Sequence, residues 1–307
     1  MSFRNALPVL ILVSVGLLLV TQQNEDVNGK FGNFLRPRGR QLLSLDPRTI
    51  DVKPQVPRGS VAVVISTPKC GTGGLAGSFA QSFEPCLPVT RPFPSTVLFD
   101  CEEEKHAVKS HNVNAGAELI ESFRSQHPIE KCLVVTAIRD PQTWIPSMFM
   151  ESRRDELCNA NIASTDEMIK IYREWVATHG SRLREAAQVI RPRLLAEFGA
   201  SSLTDEMKKV DANGGYSILD KAAPDGPFGH CELLFLKVEN SDKWPNFISS
   251  VMPGVVYHKG SSRAELCPNI ADHYEVIKNY PLSEEERAGI VNDDPDTAEY
   301  FKVYGYL

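Results

Sequence analysis

The sequence predicts an α/β fold, a three-layer sandwich in which helices flank a central parallel sheet. Three apolar runs carry this prediction, at residues 61–65, 132–138 and 233–238, and each has the length of a buried strand. Helical patterns separate the three runs, and strands that alternate with helices form a parallel sheet covered on both faces. We expect this domain to occupy residues 60–307.

The remaining elements are expected in the following order. Strands are predicted at 96–100 and 107–110, and 85–94 is predicted to be a proline-rich loop. Helices are predicted at 114–126, from Pro141, at 168–175, 183–198, 244–251, 274–278 and 283–291, with interruptions at Gly180 and Pro192.

The N-terminal 59 residues have a different composition. Residues 6–20 are apolar or small, and residues 22–59 contain four prolines and several glycines. We expect a cytoplasmic tail (1–5), a signal-anchor helix that attaches the protein to the membrane (6–21) and an extended stem (22–59). The alternative is a cleaved signal peptide and a secreted protein. Both readings place the domain in the secretory lumen.

Charge and cysteine content limit the classes of partner. Lysine and arginine number 33 against 39 aspartates and glutamates, a net charge of −6, so no global basic field suggests nucleic acid. The seven cysteines show no C-x-x-C spacing, and neither zinc nor another metal is expected. The secretory lumen permits disulfides, but the sequence does not indicate which cysteines pair. Cys132 lies in a predicted buried strand and is expected to be a small core residue.

A glycine-rich turn follows the first apolar run. Strand, glycine-rich turn and helix start form the layout of a phosphate cradle, because glycine lets an anion approach the backbone and free N–H groups point at it. Lys69 adds a positive charge. In the common nucleotide-triphosphate loop, G-x-x-x-x-G-K-[ST], the lysine follows the second glycine, whereas Lys69 precedes the glycines here. The alternative without a function is a tight turn with a solvated lysine. The candidate ligands are Lys69, Cys70, Gly71, Thr72, Gly73 and Gly74.

A second candidate anion site follows the apolar run at 132–138. Arg139 stands at the carboxyl end of this predicted strand, where open α/β sheets bind ligands. Ser147 lies eight residues on, two turns into the next helix, so both side chains can face one anion. The plain alternative is an Arg139–Asp140 surface pair with a solvent-facing serine.

These two motifs resemble those of sulfotransferases that use 3′-phosphoadenosine 5′-phosphosulfate (PAPS). Pro68–Thr72 reads P-K-x-G-T, which is similar to the loop that binds the 5′-phosphosulfate. The spacing from Arg139 to Ser147 is similar to the R-x-P-x-x-x-x-x-S element that binds the 3′-phosphate, so the sandwich is expected to be P-loop-like. The resemblance covers roughly residues 60–305 and points to membrane-anchored, Golgi-type enzymes and a divergent group named for capsular polysaccharide synthesis.

Two weaker matches suggest further site residues. Lys109-Ser110-His111 resembles a K-T-H element whose histidine is the general base, which implies that role for His111. Lys109 lies two residues earlier on the same strand face, where we expect it to lower the pKa of His111 and to contact the sulfuryl oxygens. Many carbohydrate sulfotransferases use a glutamate instead, which leaves Glu102–Glu104 as competitors. Lys259-Gly260 resembles part of an R-K-G element near the 3′-phosphate, although the G-D-W-K segment usually found beside it is absent.

The resemblance implies a Golgi, single-pass type II enzyme with a luminal catalytic domain. It would transfer the sulfuryl group of PAPS to a hydroxyl or amine of a glycan or small hydroxylated acceptor. The alternatives are a P-loop nucleotide-dependent kinase and a catalytically dead, membrane-anchored binding protein on the same scaffold. No signal of oligomeric state is present in the sequence.

Overall fold

A computed structural model describes residues 55–83, 86–90, 96–160, 162, 164–188, 193–219, 222, 226, 228–259 and 268–307. The predicted tail, signal anchor and stem up to residue 54 lie outside the described residues. None of the helices within these ranges has the length and apolar character that a bilayer crossing needs.

A seven-stranded sheet forms the centre of the domain, in the order β2-β3-β4-β1-β5-β7-β6. The strands are β1 (Ser60–Ile65), β2 (Cys86–Thr90), β3 (Val97–Cys101), β4 (His106–Ser110), β5 (Lys131–Ile138), β6 (Tyr216–Leu219) and β7 (Glu232–Lys237). The four central strands β4, β1, β5 and β7 are parallel, whereas β2, β3 and β6 pair antiparallel at the two edges. The predicted α/β class with a central parallel sheet is confirmed.

Helices flank this sheet. They are α1 (Thr72–Ser82), α2 (Val113–Gln126), α3 (Pro141–Ser152), α4 (Arg154–Asn159), α5 (Thr165–Ala187), α6 (Leu195–Glu197), α7 (Leu203–Ala212), α8 (Trp244–Val251), α9 (Pro268–Lys278), α10 (Glu284–Val291) and α11 (Pro295–Lys302). β1 is completely buried and β5 is buried except at Lys131. Burial on both faces explains why these strands are continuous apolar runs rather than alternating ones.

The proline-rich loop predicted at 85–94 is partly wrong, since β2 occupies Cys86–Thr90. This strand pairs with β3 at the sheet edge, where Cys86 lies opposite Cys101 and forms a disulfide with it. Pro88 is compatible with the strand because an edge strand has one unpaired side, where a missing N–H costs nothing.

The interruption predicted at Gly180 is also wrong, because α5 runs unbroken from Thr165 to Ala187. Gly180 is buried, and a β-carbon there would lie 3.1 Å from the carbonyl oxygen of Gly289 at the adjoining α10. The glycine therefore permits close packing of two helices instead of ending one.

The expectation that Cys132 is only a small core residue is wrong. Cys132 on β5 forms a disulfide with Cys231, which immediately precedes β7. Cys158 is disulfide-bonded as well. Among the cysteines within the described ranges, Cys70 is free and buried.

The parallel strands bring several polar residues to one edge of the sheet. Ser66 follows β1, His111 follows β4 and Arg139 follows β5. The Ser66 hydroxyl donates a 2.8 Å hydrogen bond to the Ala137 carbonyl of β5. The carboxyl ends of neighbouring parallel strands are therefore fixed to each other where such sheets bind ligands.

Candidate functional site

A cleft of about 930 Å³ opens at this edge of the sheet. Its lining includes ten of the residues singled out in the sequence: Lys69, Gly71, Thr72, Gly73, Gly74, Lys109, His111, Arg139, Ser147 and Lys259. The Cys70 side chain is buried and does not line the cleft, and burial raises the pKa of its thiol to about 12. Gly260 lies outside the described residues.

The turn between β1 and α1 has an unusual backbone. Lys69 adopts a φ of 67°, in the left-handed region that non-glycine residues seldom occupy. Gly71 has a φ of 77°, and a β-carbon there would lie 2.9 Å from a ring carbon of Trp244. Positive φ and the Trp244 ring both require glycine at position 71. Backbone strain of this kind clusters at ligand sites.

The amino end of α1 has the features of an anion site. No side chain within the described ranges caps this helix, and its first turn contains no acidic residue. Thr72 is 3% exposed, and its Oγ1 has no hydrogen-bond partner among the described atoms. A β-carbon at Gly73 would meet nothing within 4 Å. Free backbone N–H groups, an unused hydroxyl and open space fit a phosphate or sulfate group.

Glu151 is a cleft residue that the sequence analysis missed. Its Oε2 lies 3.2 Å from the Lys69 ammonium, and both side chains are partly exposed. Glu151 stands one turn beyond Ser147 on α3, so both reach the same cleft. The i+4 spacing from Ser147 is the sequence signal that indicates this position.

Arg139 and Ser147 are brought together as the spacing predicts. One guanidinium nitrogen of Arg139 donates to Ser147 Oγ and to the Lys69 carbonyl, each at 3.1 Å. The other two nitrogens donate to Thr143 Oγ1 at 3.0 Å and to the Tyr274 hydroxyl at 2.8 Å. Arg139 is thus held by four contacts from the β1–α1 turn, α3 and α9.

Asp140 has a separate role at this strand end. Its carboxylate accepts a 2.7 Å hydrogen bond from the Gln142 backbone N–H and so caps α3. This arrangement differs from the plain alternative of an Arg139–Asp140 surface pair.

Two buried aromatic residues support the site from behind. The Trp144 indole donates a 2.9 Å hydrogen bond to the Pro68 carbonyl, and the Tyr300 hydroxyl donates to the Arg139 carbonyl. The two rings meet edge to face with centroids 5.6 Å apart. Tyr300 lies on α11, a helix that the sequence analysis did not predict.

The geometry of His111 fixes its tautomer. Its Nδ1 lies 2.6 Å from the Ser66 carbonyl oxygen, which only accepts hydrogen bonds, so Nδ1 carries the proton. The neutral ring then has its lone pair on Nε2. Burial lowers the pKa of His111, and the positive charge of Lys109 lowers it further. The hydrogen bond to the Ser66 carbonyl acts in the opposite direction and raises this pKa. The neutral form, which is the form a general base needs, is favoured.

The three competing glutamates lie elsewhere. Glu102–Glu104 form the turn between β3 and β4, at the amino end of β4, and all three are exposed. His111 follows the carboxyl end of the same five-residue strand, which at about 3.3 Å per residue spans roughly 16 Å. The structure therefore places these glutamates at the amino ends of the parallel strands, whereas the cleft lies at their carboxyl ends.

Lys259 reaches the cleft because its segment is fixed to α1. The Ser78 hydroxyl accepts a 2.8 Å hydrogen bond from the His258 backbone N–H, and Ser82 Oγ accepts one of 3.0 Å from Val256. Both serines lie on α1. Lys259 is exposed at the mouth of the cleft, and the sequence analysis did not identify either serine.

Within the described ranges, no three histidine, cysteine or acidic side chains come together as metal ligands. No protein-family model, curated protein or solved structure matches the chain.

Proposed function

We propose that this protein is a PAPS-dependent sulfotransferase that transfers a sulfuryl group to a hydroxyl or amine of a carbohydrate acceptor. One observation carries the proposal: a single cleft brings together two groups of residues whose donors suit an anion. The first is Lys69 with the amino end of α1, and the second is Arg139 with Ser147. A nucleotide charged at both its 5′ and 3′ positions needs two such sites.

The residues present fit this nucleotide. Thr72 Oγ1 is buried without a partner among the described atoms, and the space above Gly73 is open. Arg139 has the planar guanidinium that suits a phosphate, and a phosphate oxygen can take the place of its Ser147 or Tyr274 contact. Lys69 has an ammonium group on a flexible side chain, which can leave Glu151 for an incoming sulfate or phosphate oxygen.

The chemistry follows from these groups. PAPS supplies the sulfuryl group, whose bond to the 5′-phosphate breaks as the acceptor oxygen bonds to sulfur. Lys69 and the N–H groups of α1 provide positive charge where the phosphate is released, and preorganised donors of this kind are usually the largest catalytic contribution. His111 Nε2 accepts the proton that the acceptor hydroxyl loses. Lys109 lies beside His111 on the cleft wall and is proposed to contact the sulfuryl oxygens.

Two disulfides, Cys86–Cys101 and Cys132–Cys231, support the proposed compartment. Disulfides persist in oxidising environments such as the secretory lumen. We accordingly propose a Golgi, type II enzyme with its catalytic domain in the lumen, and a secreted form after signal cleavage as the alternative.

The test uses purified protein, titrated with 3′-phosphoadenosine 5′-phosphate (PAP) and with ATP and Mg²⁺. Transfer of labelled sulfate from PAPS to a panel of glycans follows. We expect PAP binding and labelled product. Binding of ATP without PAP would support the kinase alternative, and PAP binding without transfer to any acceptor would support the dead scaffold.

A further inference from the structure

Helix α5 contributes several residues to the lining of the cleft. Trp175, His179, Arg182 and Ala186 line the cleft at intervals of four, three and four residues, which places them on one face of the helix. Arg154, the first residue of α4, lines the same cleft.

This cleft is basic in an acidic protein. Its lining contains six lysines and arginines (Lys69, Lys109, Arg139, Arg154, Arg182 and Lys259) and two carboxylates (Glu151 and Glu185). The whole chain has 33 basic and 39 acidic side chains. Lys69, Lys109, Arg139 and Lys259 are assigned to the nucleotide and its sulfuryl group, which leaves Arg154 and Arg182 without a role in that assignment.

The arginines of α5 differ in whether their side chains contact other residues. Arg173 binds Glu286 at 2.8 Å, and Arg184 donates to the carbonyls of Gly289 and Ile290 at 3.0 and 2.9 Å. The side chains of Arg154 and Arg182 form no hydrogen bond or ion pair with the residues that the structure describes. Arginine stays charged at any physiological pH. Two such charges facing a cleft attract an anionic ligand.

His179 adds a group suited to a hydroxyl. Its ring stacks on Trp175 with centroids 4.7 Å apart, and its Nδ1 lies 2.9 Å from the Trp175 carbonyl oxygen. Nδ1 also lies 2.9 Å from the Thr178 hydroxyl, whose own proton is directed at the Glu174 and Trp175 carbonyls. Since the Trp175 carbonyl only accepts, Nδ1 carries the proton and Nε2 can accept a hydrogen bond from a ligand. The stacked, bonded ring is held in one orientation.

We propose that Arg154 and Arg182 bind an anionic group of the acceptor, a carboxylate or sulfate of an acidic saccharide, while His179 accepts a hydrogen bond from a neighbouring hydroxyl. This inference rests on the proposed function, which assigns the β1–α1 turn, Arg139 and Ser147 to PAP and places the reacting acceptor hydroxyl at His111. The acceptor is then an acidic glycan rather than a neutral one.

The test measures oligosaccharide binding with and without saturating PAP. The probes are unsulfated chondroitin hexasaccharide, which has carboxylates only, its carboxyl-reduced neutral counterpart, and carboxyl-reduced chondroitin sulfate, which has sulfates only. We expect at least one acidic probe to bind about tenfold or more tightly than the neutral one, and its identity distinguishes carboxylate from sulfate. Arg154→Gln and Arg182→Gln should each weaken acidic binding by about three- to tenfold. This lies between the effects of an exposed ion pair and of a buried charged hydrogen bond, because Arg154 is half-buried and Arg182 is exposed.

Two variants on the same helix provide controls. Arg173→Gln removes an arginine that binds Glu286 and does not line the cleft, so it should leave oligosaccharide binding unchanged. Glu185→Gln removes a carboxylate from the cleft wall and should strengthen acidic binding by about two- to threefold.

Equal binding of neutral and acidic probes, absence of binding by both acidic probes, or competition of an acidic probe with PAP would each overturn the inference. If the protein binds no PAP but still prefers the acidic probes, the result counts against the proposed function and not against the two-arginine site. The two outcomes are distinguishable because oligosaccharide binding is also measured without PAP.

Discussion

The Arg139 guanidinium donates a 3.1 Å hydrogen bond to the main-chain carbonyl of Lys69, a residue 70 positions earlier. The same nitrogen donates to Ser147 Oγ. The residue proposed to hold the 3′-phosphate therefore also fixes the turn proposed to hold the 5′-phosphosulfate. Binding at one site and order at the other are expected to depend on each other.

Arg139→Ala should weaken PAP binding by about 30- to 150-fold, the effect of losing a charged hydrogen bond of about 2–3 kcal/mol. It should also lower the Tm, because the Lys69 carbonyl and Tyr274 hydroxyl lose a partner. Arg139→Lys keeps the charge but not the planar fork, and should recover only part of the affinity. Isothermal titration and thermal unfolding measure both effects. Unchanged PAP affinity in the alanine variant would place the 3′-phosphate elsewhere.

Lys69→Ala should lower kcat by at least about 10²–10³-fold while the fold stays intact, because it removes the cation beside the bond that breaks. Lys208→Ala is the matched control, since Lys208 is 71% exposed on α7 and lies outside the cleft lining. Turnover of labelled PAPS measures the effect, and circular dichroism checks the fold. A Lys69→Ala enzyme with near wild-type turnover would exclude this lysine from the mechanism.

The central sheet was predictable because burial leaves a direct signature. β1 and β5 are buried on both faces, so their sequences are unbroken apolar runs. The edge strands lack that signature. β2 contains Pro88, and β6 has only four residues, of which Ile218 is 47% exposed. Their pairing is set by neighbouring strands rather than by their own composition.

Some residues of the candidate site could be predicted from the sequence and others could not. Lys69 and Arg139 lie directly after strands, so chain position indicates where their side chains gather. Tyr274 and Tyr300 reach Arg139 from helices more than 130 residues later. No spacing rule relates residues that far apart, and only the tertiary packing brings them to Arg139.

The boundary between stem and domain can be located by truncation. Val56 is 6% exposed within the core, and the Gly59 carbonyl accepts a 3.1 Å hydrogen bond from Glu130. Protein starting at residue 55 should be soluble and active. Protein starting at residue 60 should have a Tm lower by several degrees, since burying a valine contributes about 1.5–3 kcal/mol and each 1 kcal/mol corresponds to about 2–4 °C. Equal Tm values for the two proteins would show that residues 55–59 contribute nothing to the core.

The pH profile tests His111 as the general base. A base acts when neutral, and burial lowers the pKa of His111 below its usual 6.5. The rising limb of kcat/KM against pH should therefore lie below pH 6.5. Lys109→Gln removes a positive charge that lowers this pKa, so the limb should move to higher pH. The limb position in both proteins is measured from initial rates across a buffer series.

Substitution of His111 separates the possible bases. His111→Gln keeps a similar size but cannot accept the proton, so kcat should fall by about 10²–10⁴-fold with PAP affinity nearly unchanged. His127→Gln is the control, because His127 lies outside the cleft lining. If His111→Gln remains active and Glu151→Gln is inactive, the base is the carboxylate beside Lys69. Wild-type rates are expected for Glu102→Gln, Glu103→Gln and Glu104→Gln, because their turn lies at the opposite end of β4 from the cleft.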